Sequence, residues 1–70
     1  MKNLQRIRKD NGLTQTGLAE ASGVPYRTIR SYERGENDIN KAEAMTVHKL
    51  SKALGAPMED LLELDGEENK

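Results

Sequence analysis

Apolar residues recur along the chain at helical spacing, in short runs separated by glycine. Leu4, Ile7 and Arg8 fall at i, i+3 and i+4, predicting a first helix over Lys2–Asn11 with a basic residue at the margin of its apolar face. Asn11-Gly12 stops it. Thr14 can accept from an amide one turn in, so a second helix runs Thr14–Ser22, burying Leu18 and Ala19 in continuation of Leu13. Gly17 is unusual in that first turn. Close backbone packing, simple tolerance of a glycine, or room for a phosphate backbone would each account for it. Gly23 ends the helix and Pro25 opens a third, Pro25–Arg34, with Ile29 and Tyr32 inward. After Gly35 comes a polar loop carrying Ile39. Asn40 is placed to cap a fourth helix, Lys41–Leu54, striped by Ala44, Val47, Leu50, Ser51 and Leu54. Pro57 starts a short fifth helix to Glu63 that buries Met58, Leu61 and Leu62. No segment alternates with the period of a half-buried strand, so the expected class is all-α, with a domain over residues 1–64 and a polar, frayed tail over 65–70.

Composition narrows the chemistry. Seventy residues suffice for one small domain, and with no Cys, Phe or Trp its core must be aliphatic. Without cysteine there are no disulfides or thiolate metal sites, and the lone His48 excludes a histidine-clustered one. His48 reads as a packing or surface residue. No nucleophile is placed beside a base and no phosphate-cradling glycine loop is present, so neither an enzyme nor a cofactor or metal is expected. No apolar run approaches the roughly 20 residues of a membrane span, and the expected setting is cytoplasmic.

Charge changes the picture again. The formal net charge of −1 and the pI near 5.8 argue, as averages, against a nucleic-acid partner. The average hides a division. Residues 1–35 carry seven Lys and Arg against three Asp and Glu, whereas residues 36–70 carry four against nine. A chain that is basic in one half and acidic in the other is a candidate to bind nucleic acid with the basic half. The acidic half is expected to face away from it.

The second and third helices lie in the basic half, joined by a turn of about three residues at Gly23. Two short helices so joined form a helix-turn-helix, whose second helix can enter a DNA major groove. Ala19 is small where the next helix crosses, Gly23 permits positive φ, and Val24 and Ile29 lock the interhelical angle. Any helical hairpin could show this much.

Further segments extend the pattern: Leu4-Gln5-Arg6-Ile7-Arg8, Gly12-Leu13-Thr14-Gln15, Leu18-Ala19-Glu20, Ser22-Gly23-Val24, Thr28-Ile29, Tyr32-Glu33-Arg34-Gly35, Leu50-Ser51-Lys52-Ala53-Leu54-Gly55 and Glu59-Asp60-Leu61-Leu62. Over Asn3–Leu64 the chain resembles the Cro/phage-repressor helix-turn-helix family of bacterial and phage transcriptional regulators. The resemblance implies a compact five-helix domain like that of lambda repressor, binding double-stranded DNA. It implies that Gln15 binds a backbone phosphate at a helix N-terminus, where free amides favour an anion, and braces the recognition helix. It places Tyr26, Arg27 and Ser31 at base-reading positions, and Thr28, Arg30 and Arg34 at phosphate-contacting ones. It implies a partly buried salt bridge between Arg8 and Glu33.

Each role has a plainer counterpart. Arg27 matches guanine O6 and N7 as a donor fork, or it holds phosphate. Tyr26 packs on a thymine methyl, donates its hydroxyl to phosphate, or shields the second helix, and Ser31 is short for a base contact. Arg30 and Arg34 are phosphate clamps or surface charge. Three departures from the family pattern stand out. Gly17 replaces an acidic residue, Pro25 replaces a Ser or Thr cap, and the loop from Gly35 to Asn40 with the start of the fourth helix is about three residues longer. With that extra length, the resemblance assigns no phosphate contact to Asn37. A single domain reads few base pairs, so a homodimer on a near-palindromic operator is expected, with helix five and the end of helix four (Met58, Leu64) as its surface. Regulation of transcription, as a repressor, is the favoured reading. An antitoxin or a protein-interaction module on the same fold is the alternative.

Overall fold

The computed structural model describes residues 2–64. They form α1 (Asn3–Asp10), α2 (Gln15–Ser22), α3 (Tyr26–Arg34), a 3₁₀ turn at Ile39–Lys41, α4 (Ala44–Leu54) and α5 (Met58–Leu61), with no strand among the described residues. The frayed tail expected over 65–70 lies outside them.

Each helix places one aliphatic side chain at the centre. Leu4, Leu18, Ile29, Leu50 and Leu61 are fully buried, one from each of α1 to α5. Val24, Ile39, Val47 and Leu54 complete the core. At roughly 1.5–3 kcal/mol per buried aliphatic chain, this cluster is the main favourable contribution to a fold without aromatic filling. The central helix is α2, which packs on both α3 and α4, while α1 bridges α3 and α5.

Thr14 caps α2 by accepting from the Gly17 amide at 2.9 Å. A Cβ on Gly17 would stand 3.1 Å from that hydroxyl, so the glycine leaves space around the cap itself. Gly23 ends α2 in the left-handed conformation with φ 79°, which glycine adopts without a Cβ penalty. The next three residues turn the chain. The Val24 amide donates to Ser22 Oγ, Val24 is buried, and Pro25 is the extended residue before α3 rather than its first helical one, its carbonyl accepting from Thr28 and Ile29.

The second half departs from the sequence-based boundaries. The fourth helix begins at Ala44, not Lys41, with Glu43 in the N-cap position and Asn40 outside it. Burying Ile39 draws the preceding chain into a 3₁₀ turn, capped by Asp38, whose carboxylate accepts from the Asn40 amide. The Asn40 side chain is occupied elsewhere: its Nδ2 donates to the Glu63 carbonyl at 2.7 Å, and its Oδ1 accepts from the Glu63 backbone amide at 2.8 Å. Asn3 grips the same segment, donating from its side chain to the Leu62 carbonyl and from its backbone to the Glu63 carboxylate. Glu63 thereby caps α1 from 60 residues away, supplying the side-chain acceptor that Lys2 lacks. Pulled into this clamp, the chain leaves helical geometry after Leu61, so α5 is a single turn. Met58, expected inside, is 36% exposed, and Met45 on α4 is 60% exposed. Ala44, expected on the buried stripe of α4, is also exposed, because it stands in the first turn at the edge of the bundle.

Candidate nucleic-acid interface

The two faces of α3 differ sharply. Ile29 and Glu33, one turn apart, are buried, whereas Tyr26, Arg27, Arg30 and Arg34 are exposed. Thr28 and Ser31 lie half-buried at the margins. Arg27, Arg30 and Arg34 follow at i, i+3 and i+7, so three guanidinium groups share one outward stripe. An open depression runs between this stripe and the following loop, lined by Arg27, Thr28, Arg30, Ser31, Glu36 and Asn37.

The inner face is held by a polar network. Arg8 on α1 donates through Nε to Glu33 Oε2 at 2.7 Å and through a terminal nitrogen to Oε1 at 2.9 Å. Its other terminal nitrogen donates to the Leu13 carbonyl just before α2, at 2.7 Å. Gln15, at the start of α2, donates through Nε2 to Glu33 Oε1 at 2.9 Å. One carboxylate thus receives hydrogen bonds from α1 and α2 while riding on α3. The side chains of Arg8 and Glu33 are only 8% and 2% exposed. Such a pair requires full hydrogen bonding to offset desolvation, and no buried side-chain nitrogen or oxygen among the described residues lacks a partner. The hydrogen bonds to Glu33 raise the Arg8 pKa above its ordinary value against the opposing effect of burial, and the Coulombic attraction adds to them. These bonds hold the Glu33 face of α3 inward, the same face that buries Ile29.

The structure brings Gln15, Arg8 and Glu33 together on the inner side, and Tyr26, Arg27, Thr28, Arg30, Ser31 and Arg34 on or beside the outer face. Gln15 retains one N–H and its amide oxygen for another partner. Two features escape the sequence pattern. The Leu13 carbonyl belongs to the network, but a backbone acceptor carries no residue-type signal. Glu36, from the acidic half expected to face away, stands beside the arginines, its Oε2 3.3 Å from Arg34 Nε. Its position follows from the end of α3: Gly35 is left-handed, and the Glu36 amide returns to the Ser31 carbonyl at 3.0 Å.

Among the described residues no group of His, Asp and Glu has the arrangement of a metal site, and no helix is long and apolar enough to cross a membrane. No significant match is found among curated proteins or solved structures. The helix-turn-helix family profile of the Cro/C1 type matches residues 4–61, from the first core leucine to the last. The chain therefore belongs to the helix-turn-helix family of DNA-binding transcription regulators.

Proposed function

We propose that this chain binds double-stranded DNA at a specific sequence and represses transcription, in the cytoplasm, with α3 in the major groove and α2 across the backbone. The observation that carries the reading is the outward stripe of Arg27, Arg30 and Arg34 on a helix whose opposite face is pinned by Glu33. A rigid, cationic helix surface at the edge of a small domain suits a groove lined by acceptors and phosphates.

Arg27, Tyr26 and Ser31 read bases: Arg27 by a forked donation to guanine, Tyr26 against a thymine methyl, Ser31 by a hydroxyl at close approach. Thr28, Arg30 and Arg34 hold phosphates, and Gln15 adds its remaining N–H at the positive end of α2. Arg8 and Glu33 act through the protein, keeping α3 in register. One such helix covers few base pairs. Two copies on a near-palindromic operator, with half-sites roughly 34 Å apart, extend the reading, and exposed Met58 with half-buried Leu64 supplies apolar surface for that pairing.

Selection of bound duplexes from a random DNA pool tests the proposal. Enrichment of one site with two-fold symmetry, its half-sites one helical turn apart, is the expected result. Failure to bind any duplex at low salt would overturn it and favour a protein partner for the same face.

A further inference from the structure

Glu36 gains little stability from its position. It follows the C-terminus of α3, the negative end of the helix dipole, where a carboxylate is disfavoured. Its ion pair with Arg34 returns little, because the two side chains are 57% and 52% exposed, a setting in which solvent screens the attraction. Its backbone is nonetheless held in place. The Glu36 amide closes the end of α3 on the Ser31 carbonyl at 3.0 Å, and the side chain borders the same depression as Arg27 and Arg30.

We infer that Glu36 restrains sequence-independent DNA binding. The inference rests on the reading of the α3 outer face as the DNA-contacting surface. Arg34 and Glu36 together present no net charge to a phosphate, so the pair releases no counterion when the face meets the backbone. If Arg34 instead exchanges its carboxylate partner for a phosphate, the freed Glu36 carboxylate faces the same polyanion. Both effects weaken the electrostatic attraction that operates on any sequence. The arginine stripe of α3 thus acts on phosphates with less than its full charge, and the base contacts of Arg27 and Tyr26 carry a larger share of the affinity for a matched site.

The test compares the full chain with Glu36→Gln, and with Glu59→Gln as a control for net charge, on a random-sequence duplex across a salt series. Glu59 is exposed on α5, which packs against α1 and α4. Glu36→Gln is expected to bind about two- to fivefold more tightly at low salt, consistent with a surface ion pair. Its log–log salt slope should steepen by roughly 0.9, the contribution of one further phosphate. Glu59→Gln should change neither quantity appreciably. Equal affinity and slope for Glu36→Gln and the unsubstituted chain would overturn the inference, as would equal gains from both substitutions. If the unsubstituted chain binds no duplex, the DNA-binding reading of α3 fails, and this inference with it. If it binds and Glu36→Gln changes nothing, only the role of Glu36 fails.

Discussion

Replacing Glu33 with glutamine separates the polar network from simple packing. The substitution keeps the volume of the side chain but removes its charge and turns one acceptor into a donor. Three hydrogen bonds converge on this carboxylate, two from Arg8 at 2.7 and 2.9 Å and one from Gln15 at 2.9 Å. An amide can accept at only one of the two oxygen positions, so Arg8 is left buried with its charge uncompensated. Breaking a buried pair by removing one partner costs about 3–5 kcal/mol. A domain of this size has a total stability of roughly 3–10 kcal/mol. Glu33→Gln should therefore shift the urea midpoint far down, or leave a visible unfolded fraction at 25 °C. The double substitution Arg8→Met with Glu33→Leu removes both charges and fills the space, so it should recover most of the loss. Urea unfolding followed by far-ultraviolet circular dichroism measures all three proteins, with a constant m-value showing that the surface exposed on unfolding is unchanged. A loss below about 1 kcal/mol for Glu33→Gln, set against the cost expected for breaking a buried pair, would refute the reasoning. So would a double variant no more stable than Glu33→Gln alone.

The outer face of α3 gives a contrasting pair. Arg27→Ala should cost about 1–3 kcal/mol at the selected site and relax the preference at one base pair, while Arg30→Ala should weaken all sequences alike and lower the salt slope by about one; a repeat of the site selection and a salt titration read the two effects. Asn40→Ala removes both bonds to the Glu63 backbone and should lower unfolding stability by about 1–3 kcal/mol, seen as a reduced urea midpoint, with DNA contacts untouched. Burial, and secondarily the Glu43 charge, raise the Tyr32 pKa above its ordinary value near 10. Below that pH both folded and unfolded chains keep the proton. Above it the unfolded chain ionises first, so this contribution to stability is lost as pH rises through the folded pKa. Midpoints measured at pH 9 and 11 should fall, and Tyr32→Phe should reduce the fall.

The helical order and the core are legible in local spacing alone. Spacings of three and four residues select Leu4, Leu18, Ile29, Leu50 and Leu61 because a helix has only one face to bury, and that periodicity is local. Gly23 and Gly35 mark helix ends for an equally local reason, the cost of positive φ for any residue with a Cβ. The family pattern drew attention to Gln15, Arg8 and Glu33, which lie on three different helices. Where helices stop in the second half, and what faces what there, depends on contacts between distant segments. Asn40 has the residue type of a helix cap, yet it bonds to Glu63, and that partner exists only once the chain has closed on itself. The same closure cut α5 to one turn and left Met58 at the surface. The charge division along the chain separates Glu36 from the basic half by its position in sequence. Folding places it 3.3 Å from Arg34, because a left-handed glycine turns the chain back over the end of α3. Local periodicity records which face a helix buries, and long-range hydrogen bonds record how the chain comes back to meet itself.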